Sequence, residues 1–99
     1  MITALVMMNV ERHNIAETAQ VLLDIPGVAE VYSVTGEWDL VVILRTAEYE
    51  EIANVVTGRF TRVEAITRTH TLMAFQCYSN RDMERLWSLG EEEAMSDEQ

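Results

Sequence analysis

Residues 2–10, Ile-Thr-Ala-Leu-Val-Met-Met-Asn-Val, form a nearly continuous apolar run, which predicts a strand buried on both faces. Asn14 stands three residues before Glu17, the spacing of a helix capping box. Ile15, Ala19, Leu22 and Leu23 then recur as a helical stripe that Pro26-Gly27 stops. A second strand is expected over about 28–34 and a third over about 39–45, joined by a short Gly-containing connection as an antiparallel hairpin. Thr46 is placed to cap the next helix, with Glu48 favourable in its first turn. Tyr49, Ile52, Ala53, Val56 and Phe60 lie at helical spacing over about 47–60, and Gly58 weakens the end of that helix. A fourth strand is expected over about 65–77. Ser79 or Asn80 caps a last helix carrying Met83, Leu86 and Trp87, which Gly90 terminates. The order β-α-β-β-α-β is the ferredoxin-like arrangement, an α+β fold, here with an extra C-terminal helix.

The alternation goes one step further than the fold. Strand one sets Ile2, Ala4, Val6, Met8 and Val10 against Thr3, Leu5, Met7 and Asn9, and strand three sets Leu40, Val42 and Leu44 against Val41 and Ile43. Both faces are apolar, yet two helices cover only one. A monomer would expose the other as a large patch, so that face is expected to pack against the same face of a second subunit.

Composition narrows the class. Ninety-nine residues make one domain, and a chain this short gains from the added burial of a partner. The net charge of −10, with seven arginines and no lysine, disfavours nucleic acid as a partner. Five of the carboxylates fall in residues 91–99, which read as a disordered acidic tail. No apolar run is long enough to span a membrane, and the start lacks the features of a signal peptide. With the single cysteine, Cys77, this points to a reducing, cytoplasmic setting.

The chemistry concentrates in Val34-Thr35-Gly36-Glu37-Trp38-Asp39-Leu40. Thr35, Gly36, Glu37, Trp38 and Asp39 supply a hydroxyl, a flexible backbone, two carboxylates and a ring to one turn between strands. Those are the parts that hold a small zwitterion. Asp39 has two readings: it accepts from a ligand ammonium, or it organises the turn by binding backbone N–H groups. Trp38 either lids a pocket or enters a subunit contact. In the fourth strand, Thr69 and Thr71 share a face and offer hydroxyls to a ligand, against the plainer reading of a β-favouring threonine ladder. His70 points to the opposite face. No spacing of His13, His70 and Cys77 matches a metal site, and no nucleophile motif or phosphate loop occurs, so neither metal nor cofactor is expected.

The chain resembles the effector-binding (RAM) domain of the Lrp/AsnC family of feast/famine regulators. The resemblance is carried by Ile25-Pro26-Gly27-Val28, by Val31-Tyr32-Ser33-Val34-Thr35-Gly36-Glu37-Trp38-Asp39-Leu40 and by Ile66-Thr67-Arg68-Thr69-His70-Thr71-Leu72, within about residues 2–76. Tryptophan stands at 38 where the family usually has tyrosine. The family's full-length members place a helix-turn-helix domain first. Here Met1 leads straight into the first strand, so a stand-alone member is expected, without direct DNA binding. The resemblance implies residues 1–78 as the effector-binding domain, which the helix read over 79–90 and the acidic tail over 91–99 follow. It implies a dimeric α+β barrel, commonly assembled as a tetramer of dimers, and amino-acid effectors held between dimers. By position, the effector contacts fall on Thr35, Gly36, Glu37, Trp38 and Asp39, with Thr69, His70 and Thr71 opposite. In that picture loop N–H groups and threonine hydroxyls take the carboxylate and an acidic side chain takes the ammonium. The implied function is a non-catalytic module that modulates transcription regulators by protein contact, including full-length family members. Two alternatives stand beside it: a small monooxygenase-like enzyme of the same barrel architecture, and an assembly subunit without a ligand.

Overall fold

A computed structural model describes residues 1–80 of the chain. The helix expected over 79–90 and the tail over 91–99 lie essentially outside the described residues. Four strands, β1 (Ile2–Val10), β2 (Val28–Ser33), β3 (Leu40–Thr46) and β4 (Ile66–Ala74), form one antiparallel sheet in the order β2-β3-β1-β4. Helix α1 (Ile15–Leu23) joins β1 to β2, and α2 (Tyr49–Asn54) with two further turns joins β3 to β4. This is the expected ferredoxin-like arrangement.

The pleat decides what is buried. Ala4, Val6, Met8 and Val10 of β1 and Leu40, Val42 and Leu44 of β3 form one side of the core. Leu22 of α1, Ile25 in the turn after it, and Ile52, Val55 and Phe60 from the second crossover form the other. The opposite face of the sheet is only partly buried within one chain, the open apolar face that the alternation predicted for a single subunit. Leu5 and Met7 are only partly covered there. The register brings Leu5 between Ile43 and Leu72, and Met7 between Val41 and His70, with Tyr32 beyond Val41. An apolar strip therefore runs across the open face. Ion pairs lie towards its two ends, Arg45–Glu30 at 3.1 Å and Arg68–Glu37 at 2.7 Å.

Several helix details differ from expectation. The α1 stripe turns Thr18 and Leu22 inward and leaves Leu23 exposed. Asn14 makes no side-chain cap, because Arg12–Asn14 is already a 3-10 turn running into the helix. Thr46 is not the cap of α2: its hydroxyl donates to the Glu48 carbonyl at 2.8 Å. The helix starts at Glu48, where Glu51 Oε2 accepts the backbone N–H of Ala47 (3.0 Å) and of Glu48 (3.2 Å). The expected helix over 47–60 is interrupted. Residues Val55–Arg59 form a π turn closed by the Phe60 N–H on the Val55 carbonyl, followed by a 3-10 turn over Phe60–Arg62. The wide turn takes in one extra residue. Val55 becomes buried, Val56 packs half-buried against the core as expected, and Tyr49, expected on the inward stripe, stays exposed. β4 ends at Ala74, opposite Thr3, because β1 has almost run out as a partner. Phe75 is left fully exposed.

Candidate functional site

The β2–β3 connection is a six-residue loop closed by the Val34 N–H on the Asp39 carbonyl at 3.1 Å. Gly36 takes φ +103°, the left-handed region that favours glycine, and a Cβ there would meet nothing within 4 Å. The glycine thus serves the turn, not a close packing contact. Thr35 and Gly36 are exposed, and Thr35 makes no side-chain hydrogen bond among the described residues.

Asp39 falls in the loop, not in the strand. Its Oδ2 accepts the Val10 N–H at 3.0 Å and Asn9 Nδ2 at 3.3 Å, and its own N–H donates to the Met8 carbonyl at 2.9 Å. Asn9 Nδ2 also donates to the Glu37 carbonyl at 2.8 Å. These bonds rivet the loop to the end of β1, which is the turn-organising role.

The exposed half of the loop meets β4. Arg68 Nη2 donates to Glu37 Oε1 at 2.7 Å, and the Arg68 guanidinium lies 4.2 Å from the Trp38 ring centroid. Trp38 and His70 stack with centroids 6.1 Å apart and planes 28° from parallel. Glu37, Trp38, Arg68 and His70 thus form one cluster at the rim of the open sheet face. Thr69 and Thr71 do not join it. They pair with Met8 and Val6 on the helix-covered face. Thr69 borders a cleft of about 240 Å³ that Val56, Phe60, Val63 and Ile66 also line. Within one chain, the expected residues divide between two faces of β4.

Arg68 and Asn9 are functional candidates that the sequence motifs did not supply. Arg68 precedes His70 by two and so shares its face, and that alternation was the available signal. Its partner Glu37 is 31 residues away and is brought to it only by the order of strands.

At the far end of the open face, Tyr32 donates to Glu30 Oε2 at 2.6 Å and Arg45 donates to Oε1 at 3.1 Å. The tyrosine hydroxyl first, and the guanidinium second, hold the Glu30 carboxyl below its ordinary value. The carboxylate raises the Tyr32 hydroxyl in turn. Any stability from this half-exposed group is present above the ordinary carboxylate range and is lost as pH falls through the lowered value.

The sequence profile described as "Lrp/AsnC ligand binding domain" matches residues 3–84. The chain belongs to the Lrp/AsnC ligand-binding domain family. An uncharacterized HTH-type transcriptional regulator of Pyrococcus furiosus is 36% identical over 59 residues, 60% of this chain and 39% of its own length. The chain thus spans about two-fifths of that curated relative. TTHA0845 from Thermus thermophilus is 40% identical with a TM-score of 0.74, covering 81% of this chain and 100% of that one. A Neisseria meningitidis transcriptional regulator solved as an L-Met complex has a TM-score of 0.71 at 12% identity, covering 80% of this chain and 53% of that one, a likeness of fold alone. Among the described residues, no helix is long and apolar enough to cross a membrane.

Proposed function

We propose that this Lrp/AsnC domain is a non-catalytic, oligomeric effector-binding module. It binds an amino acid or related small metabolite at a pocket that the β2–β3 loop completes with a neighbouring subunit. It modulates transcription regulators, full-length Lrp/AsnC members among them, by protein contact and without touching DNA itself. The observation that carries this reading is the Glu37–Trp38–Arg68–His70 cluster: opposite charges, an aromatic plane and a ring nitrogen at the rim of an apolar open face. Charge and aromatic groups at an apolar rim are what a subunit-boundary pocket for a small zwitterion requires.

Assembly follows from the open face. Leu5, Met7, Val41 and Ile43 are only partly covered in one chain, and Leu72 is exposed. Pairing two such faces about a two-fold axis covers both strips at once and builds a dimeric α+β barrel, and further pairing gives a tetramer of dimers. Trp38, Glu37, Gly36 and Thr35 then contribute the loop side of the pocket, with Asp39 as its anchor. Thr69, Thr71 and His70 are assigned to ligand contacts from β4, with Thr69 bordering the cleft on the helix side. Two comparisons support the reading: the curated relative is an HTH-type regulator more than twice as long as the matched region, and the Neisseria meningitidis regulator of the same fold was solved with L-Met.

The test is a calorimetric screen of the twenty amino acids. At least one is expected to give saturable heat at or below about millimolar concentration, the regime of weak effector affinity. Silence across the whole set would contradict an amino-acid effector.

A further inference from the structure

The loop's two carboxylates are both spoken for within the chain. Asp39 is tied to β1 by the Val10 N–H and the Asn9 amide. Glu37 is held by Arg68 at 2.7 Å. An acidic loop that simply waits for an ammonium is therefore not what the geometry contains. It contains a matched pair of opposite charges beside an aromatic plane.

We infer that the Glu37–Arg68 pair is the seat of the ligand's two charges: an α-amino acid enters by exchanging the pair, its carboxylate taking Arg68 and its ammonium taking Glu37. This rests on the effector reading above and deepens it by naming Arg68 as the carboxylate anchor, in place of threonine hydroxyls.

Three observations carry the exchange. First, the pair is easy to open. The Arg68 and Glu37 side chains are 55% and 69% exposed, and ion pairs in that setting are worth little. Second, Arg68 is already presented as a receptor. Its guanidinium rests against the Trp38 ring at 4.2 Å, which holds its plane, and it has five N–H donors of which one bond to Glu37 is made. A planar fork so held suits a carboxylate bound through two parallel bonds. Third, the charges match in spacing as well as sign. An α-amino acid carries its carboxylate and ammonium on one carbon, so each reaches one member of a pair that was itself in contact. Trp38, stacked on His70 at 6.1 Å, then lies beside the ligand's side chain as an apolar wall.

The exchange has a signature in specificity. A ligand with only one of the two charges opens the pair and leaves one partner unmatched. An α-amide keeps the ammonium but loses the partner of Arg68. With the native chain, an amino acid is expected to bind at least about 30-fold more tightly than its own α-amide, the scale of losing one partner of a desolvated charge pair. In Arg68→Gln that ratio falls to about threefold or less, and in Arg68→Lys, which keeps the charge and loses the fork, it lies between.

The experiment is calorimetry of native protein, Arg68→Gln and Arg68→Lys with the twenty L-amino acids and the α-amide of each one that binds. Circular dichroism shows whether each variant is folded, as is expected for a half-exposed position. If an amino acid binds and the acid-to-amide ratio collapses in Arg68→Gln, the inference stands. If an amino acid binds and Arg68→Gln keeps the native ratio, the exchange is wrong while the effector reading survives. If no amino acid binds the native protein, both fall together.

Discussion

Leu5→Glu is expected to turn the assembled protein into a folded but largely monomeric one. Leu5 lies on the open face of the central strand β1, between Ile43 on one side and Leu72 on the other. In a pair of open faces it would be dry and would have no cation beside it in its own strand pairs. An uncompensated charge in such a setting costs about 3–5 kcal/mol, so association should weaken by at least about 100-fold. The same substitution in an isolated chain only adds a charge to a partly wet face, and secondary structure should survive. Light scattering at micromolar concentration reads the mass, and circular dichroism reads the fold. Native assembly at native strength in Leu5→Glu would mean that subunits meet through some other surface.

Leu44→Ala is expected to act in the opposite way. Leu44 is the same residue type on the other face of the same sheet, fully buried opposite Ala4. Truncation removes buried methyl groups and leaves a cavity in the core that Ile52 and Val55 share. The cost is about 2–5 kcal/mol, out of the roughly 5–15 kcal/mol that holds a small domain together. For a chain of this size that lowers the melting temperature by at least about 10 °C. Thermal unfolding measured at fixed protein concentration gives the number, because association itself contributes to stability. A shift of a degree or two would show that the core is elsewhere. Together the two variants separate the sheet's faces: loss of stability is expected from the one, and loss of the proposed assembly from the other.

The sheet was legible in the sequence because strands report themselves through a period of two, and the alternation in β1 and β3 marked both faces as apolar. The helices were less so. The stripe that includes Leu23 counts only hydrophobicity and leaves Thr18 out, yet Thr18 is buried and Leu23 is not. The π turn at Val55–Arg59 breaks the 3.6-residue period, so a stripe drawn at that period takes in Val56, which packs against the core, and misses Val55, which is buried within it. The loop was legible as a concentration of chemistry, but its internal bonding was not. Asp39 binds β1 because β3 and β1 are neighbours, and Glu37 binds Arg68 because β4 lies beyond β1. Both are contacts between residues far apart in the chain, set by strand order and register, and no local spacing announces them. Arg68 stood in plain view between two threonines. The threonines drew attention as ligand hydroxyls, and the pleat then put them on the face away from Trp38.

Where ligand and assembly share one site, the loop of a single chain is half a pocket. Native mass spectrometry with an amino acid that gives heat in the calorimetric screen tests this most directly, because chains and bound ligands are counted in the same spectrum. Ligand-bearing masses are expected on dimers and larger assemblies, saturating at one ligand per loop, with bare monomers beside them and with lower occupancy at the same ligand concentration in Arg68→Gln. Monomers carrying the ligand as fully as the assemblies do would contradict it.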